Sequence, residues 1–263
     1  MDLNKIKADY ERDGYVSAVP ILTAEETARH RSALEDLEAR EGQIHYKAKL
    51  HTVMTSPYEM ATHPKVLDIV EQFIGPDILL YDSTFIIKEP HTDAHVSWHQ
   101  DLTFWGLSAD DVVTFWLALS PATAASGCMR MVPGSHKLGV FEHETGDDAS
   151  NVLLQSQTVQ NVDEAKAVMC PLAPGEASFH HGWTLHASMP NQSDDRRIGL
   201  NVQYLAPHVR QTKHDLDSAM LVRGVDNYRH FREDQPALTD FDPAAVERWH
   251  EMDKLHVETQ GTN

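Results

Sequence analysis

The chain has 263 residues, 41% of them hydrophobic and 24% charged, a composition that points to an ordered globular protein rather than a disordered or membrane-embedded one. Its net charge of −18 repels phosphate backbones and anionic lipid faces, so neither nucleic acid nor a membrane is an expected partner. Two cysteines without a CxxC spacing, Cys128 and Cys170, support neither a disulfide framework nor a zinc knot.

The N-terminal "MDLNKIKADYERDGY" is charged throughout and lacks the apolar centre of a signal peptide, so a cytoplasmic location is the expectation. Asn4 can cap a short first helix, "GYVSAV" reads as a strand, and Thr23 with Glu26 makes a capping-box pattern ahead of "ETARHRSALEDLEAR". A helix from Pro64 places Val66, Leu67, Val70 and Phe73 on one face and stops at Gly75. From about Asp77 the texture changes to short β runs: "ILLYDSTFIIK", "DVVTFWLAL", "CMRMV", "AVMCPL", "EASFHH" and "RIGLNVQYL". Turn signals such as "PATAASG", "PGSH", "APGE" and "PNQSDD" separate them, which predicts a β-sandwich or barrel. Gly139 to Glu164 reads as a polar surface excursion, and a final helix is expected near Pro243 to His256.

Chemistry concentrates in "VSWHQDLTFWGL", Val96 to Leu107. A His-x-Asp pair is weak evidence by itself, because 17 histidines and 40 acidic residues generate about two or three His-x-Asp/Glu pairs by random placement. "HTD", His91 to Asp93, is one such pair in a loop-like stretch. On an extended segment His99 and Asp101 would share one face, with Trp98, Phe104 and Trp105 keeping it dry. A two-histidine-one-carboxylate site needs a further ligand, and "FHHGWTLHASMPN" offers His180, His181 and His186. A buried neutral histidine in a β core is the competing reading.

The ordered blocks "WHQD", "FWLALSPATAASGCMRMVPGSHK" and "HHGWTLHASMPNQSDDRRIGLNVQY" resemble the phytanoyl-CoA dioxygenase family of iron- and 2-oxoglutarate-dependent oxygenases, over about Gly14 to Leu205. The resemblance implies a mainly β fold, a cupin-like double-stranded β-helix or jelly roll with flanking α-helices. It implies Fe(II) held by His99, Asp101 and His186, with 2-oxoglutarate and O2 as co-substrates. It places Arg197, eleven residues after His186, and Ser188 on the far carboxylate of 2-oxoglutarate, and Trp116 close to that co-substrate. "HAS" stands where the family more often has "HGS", so Ala187 departs from the pattern while remaining small. His136, in "PGSHK", is expected to be exposed and no ligand. An intact carboxylate at Asp101 implies hydroxylation rather than halogenation, with desaturation or cyclisation as alternatives.

Arg suits the carboxylate role physically, because its planar fork grips a carboxylate bidentately and stays charged. The bland alternative for Arg197 is a surface salt bridge to Asp194 or Asp195, and Arg196 is expected to point into water. On a strand from Arg197, residues Gly199, Asn201 and Gln203 share the inward face, facing a ligand or bonded to neighbouring backbone, and Trp105 is expected as a wall of the substrate cavity, with core packing the alternative for it and for Trp116. One oxygenase domain is expected over residues 1–263, with helices over about 1–75, the jelly roll over about 77–206, and 207–263 as a cap. Arg210, Arg223 and Arg232 in that cap would favour a small polar substrate: an acid, an amino acid or an aminophosphonate. The rival readings are a catalytically inactive jelly-roll binding protein and a zinc hydrolase with Glu176 as its base. The partner expected is a small molecule, and the oligomeric state is left open.

Overall fold

A computed structural model describes residues 1–153 and 156–261. Four helices come early: α1 (Leu3–Asp13), α2 (Ala24–Glu41), α3 (Thr55–Ala61) and α4 (Pro64–Ile74), with β1 (Tyr15–Pro20) between the first two. Strands β2 (Ile78–Lys88) and β3 (Val96–His99) follow, then the one-turn helix α5 (Leu102–Trp105). Next come β4 (Val112–Ala118), β5 (Met129–Met131), β6 (His143–Glu144), β7 (Thr158–Val159), β8 (Val168–Cys170), β9 (Glu176–His181), β10 (His186–Ser188) and β11 (Arg197–Leu205). The chain closes with β12 (Ser218–Arg223), β13 (Arg232–Glu233) and α6 (Pro243–Gly261).

The capping box at Thr23 and Glu26 starts α2, and Gly75 ends α4, both as the sequence predicts. The cap of α1 is Asp2, whose side chain accepts from the Lys5 N–H, so the helix begins before Asn4. The six quoted β runs all become strands. Helix α3 and strand β12 were not anticipated, because neither shows a clean period.

Seven strands form one sheet in the order β1-β9-β4-β11-β2-β12-β13, and four form a second in the order β3-β10-β5-β8. The two sheets, with helices packed outside the larger one, make the cupin-like jelly roll. Pairing is antiparallel throughout the two sheets except between β12 and β13.

Strict alternation in the central strands gives the large sheet two unlike faces. Phe85, Ile87, Val113, Phe115, Leu117, Ile198, Leu200, Val202 and Tyr204 pack with Leu34, Leu37, Val66, Ile69 and Val70 of the helices. The intervening residues, Asp82, Thr84, Ile86, Trp116, Arg197, Asn201 and Gln203, line a cavity between the sheets. Burial on both faces explains why these strands read as nearly continuous apolar runs, punctuated by the few polar residues that face inward.

Gly199 occupies the same inward face but does not line the cavity. A Cβ built there would lie 1.9 Å from Cζ2 of Trp116, so the absence of a side chain lets the indole lie across the strand. Gly199→Ala should destabilise the fold by about 1–3 kcal/mol through overpacking and displace Trp116. Urea unfolding monitored by far-UV dichroism measures the first effect and tryptophan emission the second.

Candidate functional site

His99 is the last residue of β3, and β10 pairs with β3 so that His186 lies directly opposite it. Asp101 follows two residues later but is not extended: its φ of −54° and ψ of −48° are helical, and it caps α5. The expectation that His99 and Asp101 share a strand face is therefore corrected. Convergence comes from a sharp change of direction at the strand end, and Gln100 helps to hold that turn. Its buried amide donates to the carbonyls of Gly139 and Trp183 and accepts from the Phe141 N–H.

The ligand atoms of His99, Asp101 and His186 all lie within 4.8 Å of one another. Nε2 of His99 is 3.3 Å from Asp101 Oδ1, and Nε2 of His186 is 3.6 Å from the same oxygen. Each imidazole is oriented from behind: Nδ1 of His99 sits 2.9 Å from the Ser97 carbonyl and Nδ1 of His186 sits 3.0 Å from the Thr184 carbonyl. With Nδ1–H donating, each Nε2 lone pair faces the shared centre.

The other Asp101 oxygen, Oδ2, accepts from the Thr114 hydroxyl at 2.8 Å and lies 3.2 Å from His180 Nε2. His180, one of three candidates for the remaining ligand, thus orients the carboxylate instead of joining the triad. His181 lies elsewhere, 5.5 Å ring to ring from His136, which is half-buried rather than exposed. Burial raises the Asp101 carboxyl, but His186, His180 and His99 outweigh it and hold the group well below the usual carboxylate range. Burial and the neighbouring His99 push the His186 imidazole well below its ordinary value, which keeps it neutral and able to ligate. A buried donor set of two neutral imidazoles and one carboxylate fits a divalent transition metal such as Fe(II).

At the other end of β11, Arg197 is 1% exposed. Its Nη1 donates to the Gly127 carbonyl at 3.0 Å, its guanidinium lies 5.1 Å from the centre of the Trp116 ring, and its buried Nε has no partner. The surface salt bridge weighed for it is ruled out, since Asp195 pairs with Arg31 and Asp194 with His91. Arg196 does not end in water: Glu38 and Glu89 hold it at 2.8 and 2.9 Å.

Directly across the sheet from Arg197 stands Lys88, a residue the sequence reading passed over. Its buried Nζ donates to Ser188 Oγ at 2.7 Å and to the carbonyls of Ser188 and Met189 at 3.2 and 2.6 Å. Burial and the adjacent Arg197 bring its ammonium down to about 6. The signal was present in hindsight, because a lysine closing an eleven-residue apolar strand invites a specific partner. A buried guanidinium at Arg197 with no ion pair among the described residues calls for an anion, and Lys88 on the paired strand is placed to gain its proton when one arrives.

The cavity between these two ends is lined by Trp105, Trp116, Asn201 and Gln203, as expected, and also by Phe104, Tyr46, Asp82 and Thr84. The excursion after Gly139 is more than surface: Val152, Leu153 and Gln157 line the cavity, while Leu154 and Gln155 of the same stretch lie outside the described residues. The C-terminal segment contributes Asp253, His256 and Val257 of α6 to the lining. Arg210 is exposed and away from the lining, Arg223 pairs with Asp68 and Glu71, and Arg232 pairs with Glu251. The predicted arginine cluster over the mouth is thereby corrected. Glu176 accepts from the Ala173 N–H in its turn and does not reach the cavity, which leaves the zinc-hydrolase reading without its base.

Several known proteins are similar to this chain. A probable alpha-ketoglutarate-dependent hypophosphite dioxygenase of Stutzerimonas stutzeri is 34% identical over 145 residues, 54% of this chain and 50% of that protein. The peroxisomal phytanoyl-CoA dioxygenase of Homo sapiens is 27% identical over 152 residues, 56% of this chain and 45% of that protein. The matched stretch thus spans about half the length of these curated relatives. A solved structure described as a non-heme monooxygenase, ThoJ in its apo form, superposes with a TM-score of 0.82 at 30% identity, covering 98% of this chain and 99% of that one. Residues 10–199 match the family described as phytanoyl-CoA dioxygenase (PhyH), and the chain belongs to that family.

Proposed function

We propose that the chain is an Fe(II)- and 2-oxoglutarate-dependent dioxygenase that hydroxylates an unactivated C–H bond of a small polar substrate. The observation that carries this reading is the pairing, in one cavity, of a His99–Asp101–His186 donor set with an anion seat made of Arg197 and Ser188, behind which Lys88 donates to the Ser188 hydroxyl. A relative named for alpha-ketoglutarate dependence supports the assignment of that seat to the dicarboxylate. The roles given to Ser188 and Trp116 are part of the same proposal, as is the view that residues 1–263 act as one oxygenase unit.

An iron ion held by the triad, with 2-oxoglutarate and dioxygen, supplies the oxidising power: one oxygen atom enters the substrate as hydroxyl, the other enters succinate, and carbon dioxide leaves. The protein's own work is positional. Thr114 and His180 fix Oδ2 of Asp101, so Oδ1 is presented towards the two Nε2 atoms. Arg197 and Lys88 orient the far carboxylate, while Trp116 covers the guanidinium and keeps water from it. Asp101 would offer a carboxylate to the metal, which supports hydroxyl transfer over halogenation.

Three measurements follow. Succinate release from the Fe(II)-loaded protein should require 2-oxoglutarate, and Arg197→Ala should raise the KM for it at least tenfold, the loss of about one charge-assisted contact; an unchanged KM would remove Arg197 from the seat. Thr114→Val should weaken Fe(II) affinity by roughly 10–100-fold in anaerobic titration, whereas wild-type affinity would mean that Asp101 needs no such support.

The third concerns protons. With a ligand-free value of about 6, Lys88 is neutral near neutral pH, and an arriving dicarboxylate favours its charged form, so binding takes up close to one proton above pH 6 and fewer below it. The folded value lies under the ordinary 10.5, so the ligand-free protein binds fewer protons than its unfolded chain between those values, and the contribution of Lys88 to stability rises with pH across that window. Calorimetry of 2-oxoglutarate binding in two buffers of different ionisation enthalpy reads the uptake. It should vanish in Lys88→Met; identical heats in both buffers for the wild type would refute it.

A further inference from the structure

The cavity is electrostatically polarised along β2. Its inward residues run from Ile86 through Thr84 to Asp82, and Arg197, paired across the sheet with Lys88, lies at the far end, six residues and about 20 Å from the Asp82 row. Arg197 makes the cationic end. Around Asp82 the balance is reversed. Behind it, buried Asp217 and Asp234 share a single ammonium, that of Lys49, at 3.8 and 3.6 Å. Lys49 Nζ is itself engaged with the carbonyls of Tyr81 and Ser218. Three buried carboxylates therefore stand against one ammonium, with the imidazoles of His51 and His256 at 3.7 Å from Asp234 and 4.0 Å from Asp82. Asp253 of α6 adds a further carboxylate to the lining, its Oδ1 accepting from the Ala48 N–H at 2.9 Å and its Oδ2 3.4 Å from the ammonium of exposed Lys47.

An excess of carboxylates alone would not define a site. Here a separate observation points to a ligand: Gln203, 4% exposed and directly across from Asp82, faces the cavity with a buried Oε1 that has no hydrogen-bond partner. The Thr84 hydroxyl beside it is equally unpartnered. Buried acceptors left open next to uncompensated negative charge are suited to an N–H donor that carries positive charge. Among the described residues lining the cavity, Arg197 is the sole arginine or lysine, and it belongs to the opposite end.

We infer that the substrate is a protonated amine, its ammonium held by Asp82, Asp253 and the Gln203 carbonyl, and its apolar body lying against Phe104, Trp105 and Val257. The inference rests on the oxygenase reading for the reaction and deepens it by naming the substrate class. It replaces the acid or phosphonate suggested by Arg210, Arg223 and Arg232, none of which reaches the cavity. The sheet register also sets the distance between cation and chemistry. Asp82, Gln203, Thr114 and His180 stand in one row across β2, β11, β4 and β9. Asp82 is thus two strand spacings, about 10 Å, from Thr114, whose hydroxyl holds Asp101. The carbon that is oxidised lies several bonds from the nitrogen.

The test uses the full chain, loaded anaerobically with Fe(II) and 2-oxoglutarate, and reads perturbation of the visible charge-transfer band. Hexylamine, phenethylamine and 4-phenylbutylamine are each compared with the alcohol and the carboxylate of the same skeleton. At least one amine should perturb the band at concentrations tenfold or more below its alcohol, with the carboxylate weakest. Asp82→Asn keeps the acceptor that caps the Lys49 N–H and should erase most of that preference while leaving the unperturbed band intact; Asp253→Asn, at the more exposed position, keeps the acceptor for the Ala48 N–H and should reduce the preference. Alcohol or carboxylate binding as tightly as the amine would overturn the inference, as would the absence of any amine effect at millimolar concentration. If the wild type gives no band, the oxygenase reading fails instead, and calorimetry of the same nine compounds with the metal-free chain still decides the amine preference by the same two criteria.

Discussion

The site depends on one backbone constraint: antiparallel pairing of β3 with β10 in a register that sets His186 opposite His99. Adjacent antiparallel strands lie about 4.8 Å apart, so two residues facing each other across them bring their imidazoles within bridging distance of one ion. The ring centres are 4.0 Å apart. A register slip of one residue would turn His186 to the other face and dissolve the donor set. Everything else at that end serves this pair. The turn at Gln100 swings Asp101 back over them, and Thr114 and His180 reach across from the large sheet to hold the carboxylate in place.

The same alternation organises the large sheet. Each central strand gives one face to the helices, where branched and aromatic side chains form a continuous apolar layer, and the other to the cavity, where polar groups are buried in pairs. Burying the Arg197 guanidinium is unfavourable without an anion, and burying Asp82, Asp217 and Asp234 against one ammonium is unfavourable without a cation. The fold tolerates both because its rigid two-sided core over-determines the positions. The consequence is a cavity prepared for charges of opposite sign at its two ends.

A net charge of −18 said little about either end. The overall field sets what the surface repels, whereas the inward residues of β2 and β11 set what the cavity accepts. The arginines that looked like a recognition cluster are spent on the exterior, where Arg223 and Arg232 pair with acids of α4 and α6.

Much of the architecture was legible in one dimension. Capping at Thr23, the stop at Gly75 and the long β runs from Ile78 and Arg197 are local features, written in propensities and periods that act over a few residues. The triad and Arg197 were legible too, through ordered motifs whose resemblance to a family supplied the partners. Choosing among His180, His181 and His186 on the residues alone was not feasible, because the choice turns on which strand pairs with β3. The partners of Lys88, the role of His180, and the reach of Asp82, Asp253 and Gln203 into the cavity lay likewise beyond local signals. They are products of register and of packing between segments as much as 171 positions apart, from Asp82 to Asp253. Sequence by itself determined which faces are apolar and which residue types are available for chemistry. Tertiary structure alone decided which of them meet, since contact across a sheet depends on strand order, and strand order is chosen by the free energy of the whole core.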